Sequence, residues 1–147
     1  MLNKKLQFLL PDFENSTELP FISEGIKAGF PSPAADFEGT RISLDSILVK
    51  NKEATFYAKA SGDSMIGAGI DNDDILVIDR SLEPTDGKIA ICFIDGEFTV
   101  KRIKFTDKKL FLQPENDGYQ PIEIKEENDF MIWGIVTFVI KKLSTLK

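Results

Sequence analysis

From Thr55 onwards the apolar residues come in short runs bounded by turn-forming residues, the pattern of β-strands rather than of helices. Thr55-Phe56-Tyr57-Ala58-Lys59-Ala60 is the first such run, and Asp74-Ile75-Leu76-Val77-Ile78-Asp79 is a second, bounded by acidic residues. The Gly/Asn/Asp-rich stretch 67–73 between them has to reverse the chain. Residues 87–94 and 97–105 flank Asp95-Gly96, a strong hairpin signal because both central residues of that tight turn require positive φ. Residues 109–113, 121–124 and 130–140 add further strands. Residues 41–49 fit neither period well, and a short helix and a turn are equally open there. Residues 1–39 show little periodicity and hold Pro11, Pro20, Pro31 and Pro33, four of the seven prolines. They read as an extended arm, so the expected architecture is mainly β, with a β-rich domain over 40–147 and an arm over 1–39.

Alternation within 97–105 assigns faces. Thr99, Lys101, Ile103 and Phe105 share one side of a regular strand, while Arg102 and Lys104 share the other with Phe98 and Val100. Lys101 therefore falls among apolar neighbours and is expected to be buried.

Composition narrows the chemistry. The 147 residues, 42% of them hydrophobic, suit one compact domain plus an arm. A net charge of −6 gives no general attraction to nucleic acid or to an anionic membrane. Pro11 and Pro20 interrupt the arm, which leaves no room for a helix-turn-helix reader of DNA. Lys4-Lys5 followed by Phe8-Leu9-Leu10 starts like a secretory signal but is stopped by Pro11-Asp12. The longest apolar run, 130–140, is short of the roughly 20 residues of a membrane helix. A soluble, cytoplasmic protein is the expectation. Cys92 is the only cysteine and lies in the apolar run 89–94, where it reads as a small buried hydrophobe. There is no histidine, so neither a Ser-His-Asp triad nor a typical transition-metal site is expected, and no cofactor is called for.

The candidate chemistry lies in Ser61-Gly62-Asp63-Ser64-Met65. Ser64 stands in a tight turn where small neighbours let backbone amides approach a carbonyl, and without histidine the base that takes its proton would have to be a lysine. Lys101, on its apolar face, is the candidate. Each half alone is ordinary, since turn serines usually bond nearby backbone and strand lysines are usually solvated. The lysine followed by serine or threonine that completes a phosphate-binding Walker loop is missing. Within the arm, Ala28-Gly29 is a small pair ahead of Phe30-Pro31, in a segment biased towards extended backbone and suited to a protease cleft.

Three stretches in order carry a resemblance: Phe30-Pro31-Ser32-Pro33-Ala34-Ala35-Asp36, Ala60-Ser61-Gly62-Asp63-Ser64-Met65 and Asp95-Gly96-Glu97-Phe98-Thr99-Val100-Lys101. Together they are similar to the Ser/Lys self-cleaving family that comprises the LexA repressors and the UmuD subunits of SOS-induced translesion polymerases. The resemblance implies a LexA/UmuD-like β-domain, Ser64 as nucleophile, Lys101 as general base and a scissile bond between Ala28 and Gly29. It also implies a homodimer, stimulation by a RecA filament on single-stranded DNA, and a UmuC-like Y-family DNA polymerase as partner of the shortened product. UmuD proteins are usually cut after cysteine, whereas this chain has alanine, as LexA-like repressors do. A LexA-type repressor would need a DNA-binding domain that the arm is too short to form, and a membrane signal peptidase would need an anchor. The non-enzymatic alternative is a β-rich interaction module with inert serine and lysine; intact mass after long alkaline incubation separates it from a self-cleaving protein.

Overall fold

The computed structural model describes residues 7–21, 28 and 41–143. The chain forms two compact units, one of Met1–Pro11 with Asn51–Lys147 and one of Asp12–Lys50.

The larger unit is built on an eight-stranded antiparallel sheet. Its strands are β1 (Gln7–Leu9), β4 (Thr55–Lys59), β5 (Ile75–Asp79), β6 (Ile89–Ile94), β7 (Glu97–Thr106), β8 (Lys109–Gln113), β9 (Ile122–Ile124) and β10 (Phe130–Ile140). Their order across the sheet is β1-β4-β5-β10-β6-β7-β8-β9. Every strand expected from Thr55 onwards is present. The loop after β4 does reverse the chain: β4 and β5 pair from Thr55 opposite Asp79 to Lys59 opposite Ile75. At its base the Ala60 amide donates to the Asp74 carbonyl and the Asp73 amide to the Ala60 carbonyl, each at 2.8 Å.

Long apolar runs without alternation have a physical cause here. Leu76, Val77 and Ile78 are all fully buried, as are Ala90, Ile91 and Cys92, so β5 and β6 are covered on both faces and both parities must be apolar. One core cluster gathers Ala58, Met65, Leu76, Ile78, Ile91 and Val100 among others. The second holds Ala90, Cys92, Ile103, Leu112 and Ile135. Burial pushes the Cys92 thiol up to about 12, in keeping with a small core hydrophobe. β10 pairs with β5 on one side and β6 on the other, with irregular register at Ile132/Gly134 and Val136/Phe138. It contributes Ile135 to the second cluster and packs Val136 and Val139 against the first.

The Asp95-Gly96 hairpin is as the sequence suggests, with φ of 47° and 89° at the two turn residues and pairing from Ile94–Glu97 to Ile89–Arg102. The Asp95 carboxylate also receives the Asp129 amide and the Asn128 side-chain amide, which pins the turn to the start of β10. The next turn lacks a glycine: Asp107 and Lys108 take φ of 50° and 62°. A left-handed conformation costs a non-glycine residue roughly 1 kcal/mol. Lys108→Gly is accordingly expected to raise unfolding stability by about 0.5–1 kcal/mol, read as a higher urea midpoint at unchanged m-value.

In the smaller unit, β2 (Glu18–Pro20) pairs antiparallel with β3 (Arg41–Ser43), and α1 (Leu44–Leu48) follows directly. The segment left open in the sequence is thus part strand and part helix. Arg41 Nη2 donates to the Glu18 carbonyl at 2.9 Å, across the pair. β1 and β2 both lie within 1–39; three residues apiece are too short for periodicity to register. Among the described residues no helix is long and apolar enough to cross a membrane.

Candidate active site

β4 runs straight into the serine turn, which is held from two sides. Gly62, at φ 90°, donates its amide to Asn72 Oδ1 at 2.9 Å. From the other side come residues 115–119. The Glu115 amide donates to the Ser64 carbonyl at 2.8 Å, and the Gly67 amide donates to the Glu115 carbonyl at 2.8 Å. Asn116 Nδ2 donates to the Asp63 carbonyl at 2.9 Å, and the Tyr119 hydroxyl donates to Asp63 Oδ1 at 2.5 Å. That hydrogen bond to a carboxylate raises the Tyr119 pKa. Behind the loop, Lys141 reaches Asp71 at 2.8 Å and also Asp74, and those two carboxylates raise its pKa. Asp74 in turn receives the Asp71 amide at 2.7 Å.

Gly67 is required by close approach. A Cβ built there would stand 2.7 Å from the Glu115 carbonyl oxygen, which is fixed backbone. Gly67→Ala is expected to push residues 115–119 away from the serine turn, lowering unfolding stability by about 1–3 kcal/mol and any reaction at Ser64 by at least ~10-fold. Thermal unfolding and a single-turnover assay check the two effects.

Lys101 lies in β7 opposite Ala90 and is 8% exposed. Its face holds Cys92 (opposite Thr99) and fully buried Ile103, as strand parity suggests. Phe105 does not help bury the lysine, being 48% exposed where β7 runs past the core. Arg102, on the opposite face, is half-buried rather than solvated: its Nε donates to Glu115 Oε1 at 2.5 Å and its Nη1 to the Gly87 carbonyl at 2.6 Å. Arg102 thereby ties the strand next to the lysine to the segment that braces the serine.

The two sequence candidates meet. Lys101 Nζ lies 3.0 Å from Ser64 Oγ, 2.8 Å from Thr99 Oγ1 and 3.0 Å from the Val100 carbonyl. Burial lowers the Lys101 pKa, and the neighbouring Cys92 thiolate, were it formed, would oppose that shift. The three partners also satisfy a neutral amine, which has two N–H donors and one lone pair. The Val100 carbonyl can only accept; with the Thr99 hydroxyl accepting as well, the lone pair of a neutral Lys101 faces the Ser64 hydroxyl proton. Beside Ser64 a cleft is lined by Ala60, Gly62, Met65, Ile70, Phe98, Thr99 and Val100.

Ala28 is exposed; Gly29, the other half of the candidate scissile pair, lies outside the described residues. Sequence reading missed Thr99, Arg102, Glu115, Asn116 and Tyr119. Parity already set Thr99 on the lysine's side of β7 and could have found it. Nothing local ties residues 115–119 to a serine some fifty positions earlier.

This sheet, with its helix-poor, mostly β architecture, is that of a LexA/UmuD-like β-domain. The sequence profile of the Peptidase S24-like family matches residues 20–137, and the chain belongs to that family. It is 39% identical over 137 residues to Protein ImpA of Salmonella typhimurium, covering 93% of each chain. It is 38% identical over 120 residues to Protein MucA of Escherichia coli, covering 81% of this chain and 82% of that one. A LexA repressor of Anaeromyxobacter dehalogenans is 33% identical over 130 residues, covering 86% of this chain and 56% of the repressor.

Proposed function

We propose that the chain is a UmuD-like self-cleaving peptidase that cuts itself between Ala28 and Gly29, with Ser64 as nucleophile and Lys101 as general base. The observation that carries this reading is the 3.0 Å contact between a buried lysine and the turn serine, with the lysine's other two partners both able to accept. Neutral Lys101 takes the hydroxyl proton as Ser64 Oγ attacks the Ala28 carbonyl carbon, and backbone amides at the serine turn hold the oxyanion. The lysine then returns the proton to the Gly29 nitrogen as the C–N bond breaks, leaving Ala28 esterified to Ser64. Water then gives a proton to Lys101 as it attacks the ester carbonyl carbon, and Lys101 passes that proton to Ser64 Oγ as the ester C–O bond breaks. The cleft beside Ser64, apolar through Met65, Ile70 and Val100, suits a small side chain such as that of Ala28.

The reading places the cut in the SOS response. The arm over 1–39 carries the site and the domain over 40–147 does the chemistry. A homodimer is stimulated by a RecA filament on single-stranded DNA, and the shortened product serves a UmuC-like Y-family DNA polymerase as its accessory subunit. Identity is higher to Protein ImpA, 39%, than to the LexA repressor, 33%, which favours this over a repressor.

Intact mass tests the chemistry. Incubation at alkaline pH is expected to convert the protein into fragments 1–28 and 29–147, and Ser64→Ala to leave it whole. A wild-type mass unchanged after days, or fragments cut elsewhere, would sink the assignment. A pull-down with the polymerase tests the partnership, and equal capture of cut and uncut protein counts against a product-specific role.

A further inference from the structure

β1 belongs to the unit of Met1–Pro11 and Asn51–Lys147, yet its covalent path to the rest of that unit runs through Asp12–Lys50. Its hold is local. It pairs with β4 over three positions, Gln7 opposite Lys59, Phe8 opposite Ala58 and Leu9 opposite Tyr57. Phe8 points to the same side as fully buried Ala58 and packs on the first core cluster. Its ring centroid lies 4.7 Å from that of Trp133 and 5.1 Å from that of Phe98, edge-on to the latter. Leu9 and Leu10, next along, are exposed. Among the described strands β1 is the outermost on its side of the sheet, so without it the outer edge of β4 and the seat on two aromatic rings would both be open.

We propose that this edge and seat form a strand-accepting surface, filled by β1 in the uncut chain and opened by the cut between Ala28 and Gly29. It takes an extended segment of a partner protein, antiparallel to β4, with an aromatic residue where Phe8 now sits. The trigger rests on the self-cleavage reading; the surface itself does not. A strand covalently joined to its seat meets it at an effective concentration in the millimolar range. Severed, and at micromolar protein, the 1–28 fragment meets it at roughly a thousandth of that, and two three-residue pairings, β1 on β4 and β2 on β3, with one ring do not hold it. The freed edge offers main-chain hydrogen bonds for general affinity, and the ring seat supplies selectivity, the division of labour in strand addition. An edge of this kind left open in the uncut chain would also invite unwanted pairing, which β1 blocks. A second cut copy cannot supply β1 itself, because every cut copy has lost the same segment.

Trp133 is the chain's single tryptophan, so the seat reports its own occupancy. The probe is a fluorescein-labelled peptide of residues 1–12, added to full-length Ser64→Ala protein, which excludes cutting, with and without Phe8→Ala. The peptide is expected to bind the Phe8→Ala chain at least ~10-fold more tightly than the chain with its own ring in place, and to change Trp133 emission as it does. The same peptide with Phe8→Ala should bind at least ~10-fold more weakly. Equal binding by the two proteins, or binding that leaves Trp133 emission unmoved, overturns the proposal. Dimerisation that depends on Phe8 assigns the seat to a second copy and likewise overturns it. If Phe8→Ala fails to fold, cut wild-type protein replaces it: Trp133 emission should shift to the red when the 1–28 fragment is dialysed away and return when peptide is added, and a static spectrum refutes the idea. Failure of the self-cleavage reading shows separately, as a wild-type mass that never changes, and leaves the full-length comparison intact.

Discussion

Replacing Lys101 with alanine is expected to slow self-cleavage by about 10²–10⁴-fold and to flatten its dependence on pH. An ordinary lysine at pH 7 is neutral in about one molecule in ~2,500. Burial lowers the Lys101 pKa, and each unit of lowering raises the neutral fraction about tenfold until the amine is mostly free. Wild-type cleavage should therefore climb about tenfold per pH unit from neutrality and level off above that lowered pKa. In Lys101→Ala the climb has no titrating group left to drive it. Single-turnover rates by mass spectrometry between pH 6 and about 10 decide the matter; a variant that keeps both the rate and the profile means that another group is the base.

Lys101 should also leave a mark on stability, independent of any cleavage. In the unfolded chain its pKa is the ordinary 10.5, and in the folded chain it is lower because burial disfavours the ammonium. Below the folded pKa both states hold the proton and the folded state bears a constant penalty. Between the folded pKa and 10.5 the unfolded chain binds a proton that the folded one lacks, so stability rises with pH across that window. Measured against Lys101→Met in a Ser64→Ala background, the lysine protein should gain up to about 1.4 kcal/mol per pH unit there. The offset between the two at neutral pH also reflects the Val100 carbonyl, which loses a donor in the variant. Only the slope isolates the lysine. Parallel urea-unfolding curves across that window would contradict a buried, titrating amine.

Much of the site could be read in the sequence because its two halves carry local signals. The serine turn is marked by small residues around Ser64, and Lys101 by two-residue periodicity after an Asp-Gly turn whose φ values the structure reproduces. Burial of Ile103 and exposure of Phe105 sit on the same parity, so alternation alone could not tell where the core ends along β7. The brace from Glu115, Asn116 and Tyr119 went unread because backbone amides and carbonyls do most of its bonding, and any residue type offers those. The turn at Asp107 and Lys108 was likewise silent, since neither residue advertises the left-handed backbone it adopts. β1 and β2 needed pairing partners that lie far along the chain.

The strand order has a bearing on synthesis of the chain. Ser64 follows β4 and precedes β5, Lys101 is in β7, and among the described strands β5 meets β6 only through β10, which comes after all of them in the chain. A nascent chain can zip β4 to β5 and β6 to β7 as each leaves the ribosome, but the two sections have no shared ladder until residues 130–140 emerge. Until then the serine and the lysine belong to separate hairpins. A polypeptide stalled or truncated short of β10 lacks the sheet that sets them 3.0 Å apart, and residues 130–140 have to emerge before the pair can exist.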